Sequence, residues 1–361
     1  MADFAYGILT EGIKYAGSKQ KLIPYVLQLL GELKGVNKVL DGFSGSTRVS
    51  QALAQKGYQT TSNDVALWSE VFATCYLMST QSDAYYQELI DHLNALQGTD
   101  GWFTQHYGGD VADTKKPFQK KNTRRLDAIR TEIDRLALSW EDRCVLLTSL
   151  IYALDKVDNT LGHYVAYLTN WSKRSYNDLH MKLPRRFRYK AENRVFRKDI
   201  FELIREEEFD FVYLDPPYGS NNEKMPPSRV RYNAYYHLWT TVILNDQPDI
   251  FGKAGRREDS RDTVSASVFE EFRKDAAGGF MALNALDQLI KETRSPYILL
   301  SYSSGGRATR NELQDIILRH GKLVKALEID HKRNVMSHLR WTHEWAAVEN
   351  KHSEFLFLME K

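Results

Sequence analysis

Residues 38–64 read KVLDGFSGSTRVSQALAQKGYQTTSND. The apolar run that ends at Leu40 has the length of a short buried strand, and a glycine-bearing loop from Asp41 to Thr47 separates it from a helical pattern. In that pattern Val49, Ala52 and Leu53 share one side and Gly57 supplies a stop, after which YQTTS is again extended and ends at Asn63 and Asp64. That is a strand-helix-strand unit. Upstream, Leu22, Ile23, Val26, Leu27 and Leu30 have helical spacing. The alternation returns near the other end, where RVFRKD (194–199), FDFVYLD (209–215) and PYILLSYSS (296–304) look like strands separated by the helical patterns 200–208 and 281–292. The expected fold is α/β, with a Rossmann-like, mostly parallel sheet covered by helices on both faces.

Between residues 80 and 189 the pattern is helical without convincing strands, in SDAYYQELIDHLNAL, RRLDAIRTEIDRLAL and EDRCVLLTSLIYALDKV. This stretch reads as a helical insert, dividing the chain into a catalytic domain of residues 1–79 and 190–361 and a target-recognition subdomain of residues 80–189. The net charge of +2 conceals two basic clusters. One includes Lys115, Lys116, Lys120, Lys121, Arg124, Arg125 and Arg130, and the other runs from Lys173 to Lys198 through Arg185, Arg186 and Arg188. Two such clusters favour a polyanionic partner, because neutralised phosphates release counterions and dominate nucleic-acid affinity. Lys120, Lys121, Arg124, Arg125, Arg185, Arg186 and Arg188 are therefore expected to face such a polyanion, which the resemblance described below implies is DNA.

With 361 residues and 42% hydrophobic content, the chain can bury a full core. No apolar stretch approaches the roughly 18 residues of a membrane span, and the amino terminus lacks the order of a secretion signal, so a cytoplasmic protein without membrane contact is expected. Cys75 and Cys144 lie far apart in apolar helical patterns and read as buried reduced thiols.

A strand running into a glycine turn and then a helix aims backbone N–H groups at a ligand. DGFSGST lacks the GxGxxG spacing of dinucleotide enzymes, and Asp41 would repel a pyrophosphate. An acid there suits a cationic ligand. Asp64, at the end of the next strand, is placed to accept both hydroxyls of a ribose. A nucleoside that carries a sulfonium rather than phosphates meets both requirements, and S-adenosylmethionine is such a molecule.

The second site motif is Asp215-Pro216-Pro217-Tyr218, where an apolar strand stops abruptly. Ligands of open α/β sheets lie at the carboxyl ends of strands, and the proline pair stops the ladder and fixes carbonyl directions. An exocyclic nucleobase amine is a poor nucleophile because its lone pair is delocalised into the ring. Two acceptors gripping its hydrogens, the Asp215 carboxylate and the Pro216 carbonyl, would favour the localised form. Tyr218 would offer a stacking face, worth about 1 to 3 kcal/mol per base. No protein nucleophile is required, and neither cysteine follows a proline as an attacking thiol on cytosine carbon would.

These residues resemble the DNA adenine-N6 methyltransferases of the DNA adenine methylase type. KYAGSKQKL (14–22) is similar to that family's Lys-Trp-Ala-Gly-Gly-Lys, DGFSGST to its Asp/Glu-Pro-Phe-x-Gly loop, and DPPY to its catalytic tetrad, in the family's alpha order. The resemblance implies a class I methyltransferase sheet and base flipping of the target. It implies catalysis by Asp215, Pro216, Pro217 and Tyr218. It places the cofactor against Tyr15, Gly17, Lys19, Asp41, Phe43, Gly45, Asp64, Asp199 and Asp215. A restriction endonuclease would accompany such an enzyme in a modification system, and a monomer is expected. Tyr15, Ser18, Gly42 and Thr47 depart from the family pattern, standing for Trp, Gly, Pro and the loop's last Gly.

Methylation of cytosine N4 or of an RNA base uses the same tetrad geometry, and a non-catalytic nucleic-acid module is the alternative from another class. His331, His338, His343 and Glu344 match no compact metal spacing, so no metal is expected. Asn159, Thr160 and His163 read as a satisfied polar break in the insert.

Overall fold

The computed structural model describes residues 8–110, 112, 116–219, 231–261, 267–330 and 353–361. Seven strands form its main sheet: β1 Lys38–Asp41, β2 Gln59–Asn63, β3 Arg194–Phe196, β4 Phe211–Leu214, β5 Tyr297–Ser303, β6 Lys322–Asp330 and β7 Ser353–Glu360. Their order across the sheet is β6-β7-β5-β4-β1-β2-β3. All neighbours from β5 to β3 pair in parallel, whereas β7 runs antiparallel to both β5 and β6. The expected α/β, Rossmann-like sheet is therefore present, with one reversed strand.

β4 (FVYL) and the body of β7 (FLFLM) are continuous apolar runs because both faces are covered, whereas β2 is polar throughout (QTTSN). Val39, Phe211, Tyr213, Leu299, Leu356 and Leu358 point to one face, where they pack with helices Ile23–Gly31 and Arg48–Gln55. Leu40, Val212, Leu214, Ile298, Leu300, Phe355 and Phe357 point to the other, against helices Ile200–Glu206, Met281–Glu292 and Arg310–His320. This alternation with period two fixes the register, since a one-residue slip would exchange the two faces.

The helical body is built on helices Asp83–Ala95, Lys120–Arg135 and Trp140–Leu154. Ser82 and Ser139 cap the first and third, their hydroxyls accepting from Tyr85 and Asp142 N–H at 3.1 and 3.2 Å. Its apolar core also takes in Trp68, Phe72, Tyr236, Trp239 and Val242, which lie outside residues 80–189. Arg130 explains part of this joining. Fully buried, it donates from Nε to the Val242 carbonyl at 2.6 Å and from Nη2 to Ile243 O at 3.3 Å, satisfying carbonyls at the end of helix His237–Leu244. Chain that follows residues 215–218 is thus bound to the helical body. Among the described residues, no helix is long and apolar enough to cross a membrane.

Candidate active site

The carboxyl ends of β1, β2 and β4 open on a cavity of about 370 Å³. Tyr15, Gly17, Lys19, Asp41, Phe43, Gly45, Asp64, Asp199 and Asp215 all line it. The sheet brings them together from separate stretches of chain, because parallel strands place their carboxyl ends on one edge.

The loop after β1 is shaped by two left-handed residues, Gly45 at φ 48° and Thr47 at φ 63°. Its N–H groups are fixed in turn: Ser44 N donates to Asn63 O at 2.9 Å, and Gly45 N to Asp64 Oδ2 at 2.8 Å. The other Asp64 oxygen accepts from Ala66 N at 2.9 Å, so this carboxylate ties the loop to the end of β2. Burial pushes the Asp64 carboxyl above its ordinary range, opposed by those N–H donors. Gly45 has a second reason to lack a side chain, since a Cβ there would lie 3.0 Å from the Tyr15 ring. A β-branched residue at positive φ is strained by about 1 to 2 kcal/mol, and Thr47 sits where the related family carries glycine. Its hydroxyl accepts from Gln51 Nε2 at 3.1 Å, which offsets part of that strain.

Asp41 is buried, with Oδ2 accepting from Ser50 Oγ at 2.6 Å and Oδ1 without a hydrogen-bond partner among the described residues. Burial pushes its carboxyl up to about 7, with the Ser50 hydrogen bond opposing and the Asp215 charge reinforcing the rise. An unpaired buried acceptor on a cavity wall is the arrangement a cationic ligand would satisfy. Asp199 caps helix Ile200–Glu206, its Oδ1 accepting from Phe201 N at 2.8 Å. Phe43 meets Phe269 edge-on at 5.4 Å, and Val65, next to Asp64, is 63% exposed on the cavity wall. Together these make one side of the cavity apolar.

The Asp215 carboxylate is held on both oxygens. Oδ2 faces the Lys19 ammonium at 3.0 Å, and Oδ1 accepts from the Tyr218 hydroxyl. Lys19 also donates to Gly17 O at 2.9 Å and lies 3.4 Å from Glu354. Burial pushes Asp215 up to about 6, Lys19 pulls it down and Glu354 pushes it up again. Lys19 itself is held above the ordinary lysine range: burial disfavours its charge, but Asp215 and Glu354 outweigh that.

Two expectations need correction. Tyr218 does not line the cavity: its ring lies 4.7 Å from that of Tyr302, Lys19 Nζ is 4.8 Å from its centroid, and its hydroxyl turns inward to Asp215 and Glu354. The half-buried Asp215 and the buried Glu354 attract the nearest donor more strongly than a free stacking face is favoured. Arg125 and Arg186 are not free for phosphates. Arg125 donates to the carbonyls of Leu179, Leu96 and Asn94, closing the end of helix Asp83–Ala95, and Arg186 binds Ser79, Gln81 and Asp83 while covering the Tyr86 ring at 4.3 Å. Lys120, Lys121, Arg124, Arg185 and Arg188 are at least partly exposed, Lys121 beside Asp178 and Arg124 beside Asp100.

Lys115 and His331 to Glu344 lie outside the described residues, among which no group of side chains could hold a metal ion. Asn159 bonds Pro117, Leu168 and Ser172 and so pins its loop, a structural duty. Cys75 and Cys144 are buried free thiols, and burial raises Cys75 to about 12.

Comparison with known proteins places the chain among methyltransferases. The chain is 28% identical over 319 residues to the type II methyltransferase M.NlaIII of Neisseria lactamica, covering 86% of this chain and 89% of that one. It is 25% identical to the type II methyltransferase M.CviAII of Paramecium bursaria Chlorella virus 1, covering 96% of this chain and 98% of that one. Against the modification methylase StsI of Streptococcus sanguinis it is 27% identical over 84% of its length, and spans 46% of that longer relative. The model of one family matches residues 15–274, from the tyrosine of the amino-terminal motif to beyond the tetrad, and by that match the chain belongs to the D12 class N6 adenine-specific DNA methyltransferases.

Proposed function

We propose that the cavity binds S-adenosylmethionine and that Asp215 receives the amine of an adenine flipped from duplex DNA. The observation that carries this reading is the convergence of Asp41, Asp64 and Asp215 on one cavity at the ends of three adjacent strands. The bare Asp41 Oδ1 and the glycine cradle at Gly45 fit that ligand. Asp64 would hold the ribose, Phe43 and Val65 would border the purine, and Asp199 would face its amine. When bound, S-adenosylmethionine supplies a methyl group activated by the adjoining sulfonium.

The chain's own residues align and deprotonate. Asp215 and the Pro216 carbonyl accept the two amine hydrogens, and Pro217 walls the cavity beside them. The carbon–nitrogen bond forms as the carbon–sulfur bond breaks, and the surplus amine proton is held at the Asp215 carboxylate before it passes to solvent. A covalent adduct is not involved, in keeping with the buried thiols.

Gly45→Ala tests the cofactor assignment. Its Cβ would add a 3.0 Å contact with Tyr15 at a left-handed backbone position, so calorimetric titration with S-adenosylmethionine should give affinity weakened about 10-fold, equivalent to about 1.4 kcal/mol. Wild-type affinity in a folded variant would count against it.

The helical body, residues 80–189 with the segments packed on it, would grip the duplex through Lys120, Lys121, Arg124, Arg185 and Arg188. Arg188→Ala should reduce the slope of log affinity against log salt by about 0.9, one phosphate contact, whereas Arg125→Ala should lower the melting temperature and leave the slope unchanged. The opposite pattern would reassign both residues. Names of the relatives support pairing with a restriction endonuclease.

A further inference from the structure

Glu354 is off the cavity wall, yet it stands directly behind the tetrad. It is the second residue of β7, and because β7 is reversed its beginning lies at the carboxyl ends of the other strands, paired with Ser303 of β5. Only 6% exposed, its Oε1 accepts from Ser301 Oγ at 2.9 Å and from the Tyr218 hydroxyl, and lies 3.4 Å from Lys19 Nζ. A buried carboxylate is unfavourable unless paired, and apolar residues often stabilise as well, so its presence calls for a role beyond packing.

Proton counting supplies one. The Tyr218 hydroxyl has a single proton and two carboxylate acceptors, Asp215 Oδ1 and Glu354 Oε1. Asp215 Oδ2 is already engaged by Lys19. While Tyr218 donates to Asp215, its proton takes one of the two lone pairs of Oδ1 and makes that oxygen a weaker acceptor for an arriving amine. We propose that Glu354 is a positioning residue that takes the Tyr218 hydroxyl when the target amine reaches Asp215, freeing Oδ1 without stranding a buried donor. This rests on Asp215 being the amine's acceptor.

Lys19 of the amino-terminal segment, Glu354 of β7, Tyr218, Tyr213 of β4, Asp41 of β1 and Tyr232 of helix Tyr232–Tyr235 are the titratable groups that act on Asp215 or feel its charge. Among these, Glu354 raises Asp215 and Lys19 lowers it. Neutralising Glu354 therefore moves the ionisation of Asp215 to lower pH.

The experiment is single-turnover methylation of a duplex substrate, followed against pH, by the full chain with S-adenosylmethionine. Glu354→Ala should slow transfer about 10-fold or more, and should add under about 2-fold in the Tyr218→Phe background, because the competing donor is already gone. Cofactor affinity should stay unchanged, since Glu354 does not reach the cavity. Glu354→Gln keeps an acceptor oxygen, so it should recover most of the rate while moving the acid limb to lower pH. A wild-type rate for Glu354→Ala, or equal losses in both Tyr218 backgrounds, would overturn the proposal. If Glu354→Ala does not fold, Glu354→Leu read in both Tyr218 backgrounds takes its place, and equal losses in the two backgrounds overturn the proposal. Asp215→Ala separates the two readings: activity surviving there defeats the assignment of Asp215, whereas activity lost there beside a silent Glu354 defeats only this inference.

Discussion

Replacing Asp215 with alanine is expected to slow methyl transfer at least about 1,000-fold, a barrier increase of about 4 kcal/mol, while cofactor and DNA still bind. The size follows from what the carboxylate contributes. It is half-buried just past the end of β4, beside a proline-fixed corner, and in the proposed reading it accepts from an amine that becomes more acidic as its nitrogen attacks, so that hydrogen bond would strengthen in the transition state. Binding should survive because the truncation strands no charge. Lys19 keeps Glu354 at 3.4 Å and the Gly17 carbonyl at 2.9 Å, and Tyr218 keeps Glu354. Asp215→Asn, which retains an acceptor oxygen without the charge, should fall between wild type and alanine. Rapid-quench single turnovers give the rate, and equilibrium titrations give the affinities. Alanine within 10-fold of wild type would mean that the amine is aligned by other groups.

The parts of this site that the sequence discloses are those whose constraints are local. A strand followed by Asp-Gly-Phe-Ser-Gly specifies a turn through short-range backbone geometry, and Asp41, Gly45 and Asp64 are found lining the cavity. Asp215 is disclosed in the same way, since two prolines end a ladder wherever they occur. Glu354 is invisible in the sequence because its importance depends on β7 running backwards, a fact about the sheet rather than about Ser353–Glu360. A lone acid ahead of the apolar run FLFLM is the available signal. The Tyr218 ring escapes sequence reasoning for a related reason, because its neighbours Lys19, Ser301 and Glu354 lie 83 or more positions away in the chain. The basic residues show the same limit. Charge patterning identifies Arg125 and Arg188 alike, but only the fold reveals that three carbonyls occupy the first.

Lys19→Met should destabilise the protein by about 3 kcal/mol at neutral pH and move the acid limb of the rate profile upward, opposite to the direction expected for Glu354→Gln. Lys19 is the cation between the half-buried Asp215 and the buried Glu354, its side chain 9% exposed, and its removal leaves the two carboxylates without that compensation. The sign follows from linkage. Asp215 already sits above its unfolded value of 3.8, at about 6, so folding favours its protonated form. The resulting penalty is absent below the unfolded value, grows as pH rises toward the folded value and is constant above it, at about 1.4 kcal/mol for each pH unit that separates the two values. Without Lys19 the folded value climbs further and the window of growing penalty extends upward. The variant should therefore lose little stability near pH 4 and most of it above neutrality, as denaturant titrations at several pH values would reveal. Activity should follow the same ionisation, falling at least about 10-fold at pH 7 and recovering in part toward alkaline pH as the carboxyl ionises. Lys19→Arg, which keeps the charge, should leave the limb near its original place. A limb that stays fixed in Lys19→Met, or moves to lower pH, would show that the charge of Lys19 does not govern the carboxylate on which transfer depends.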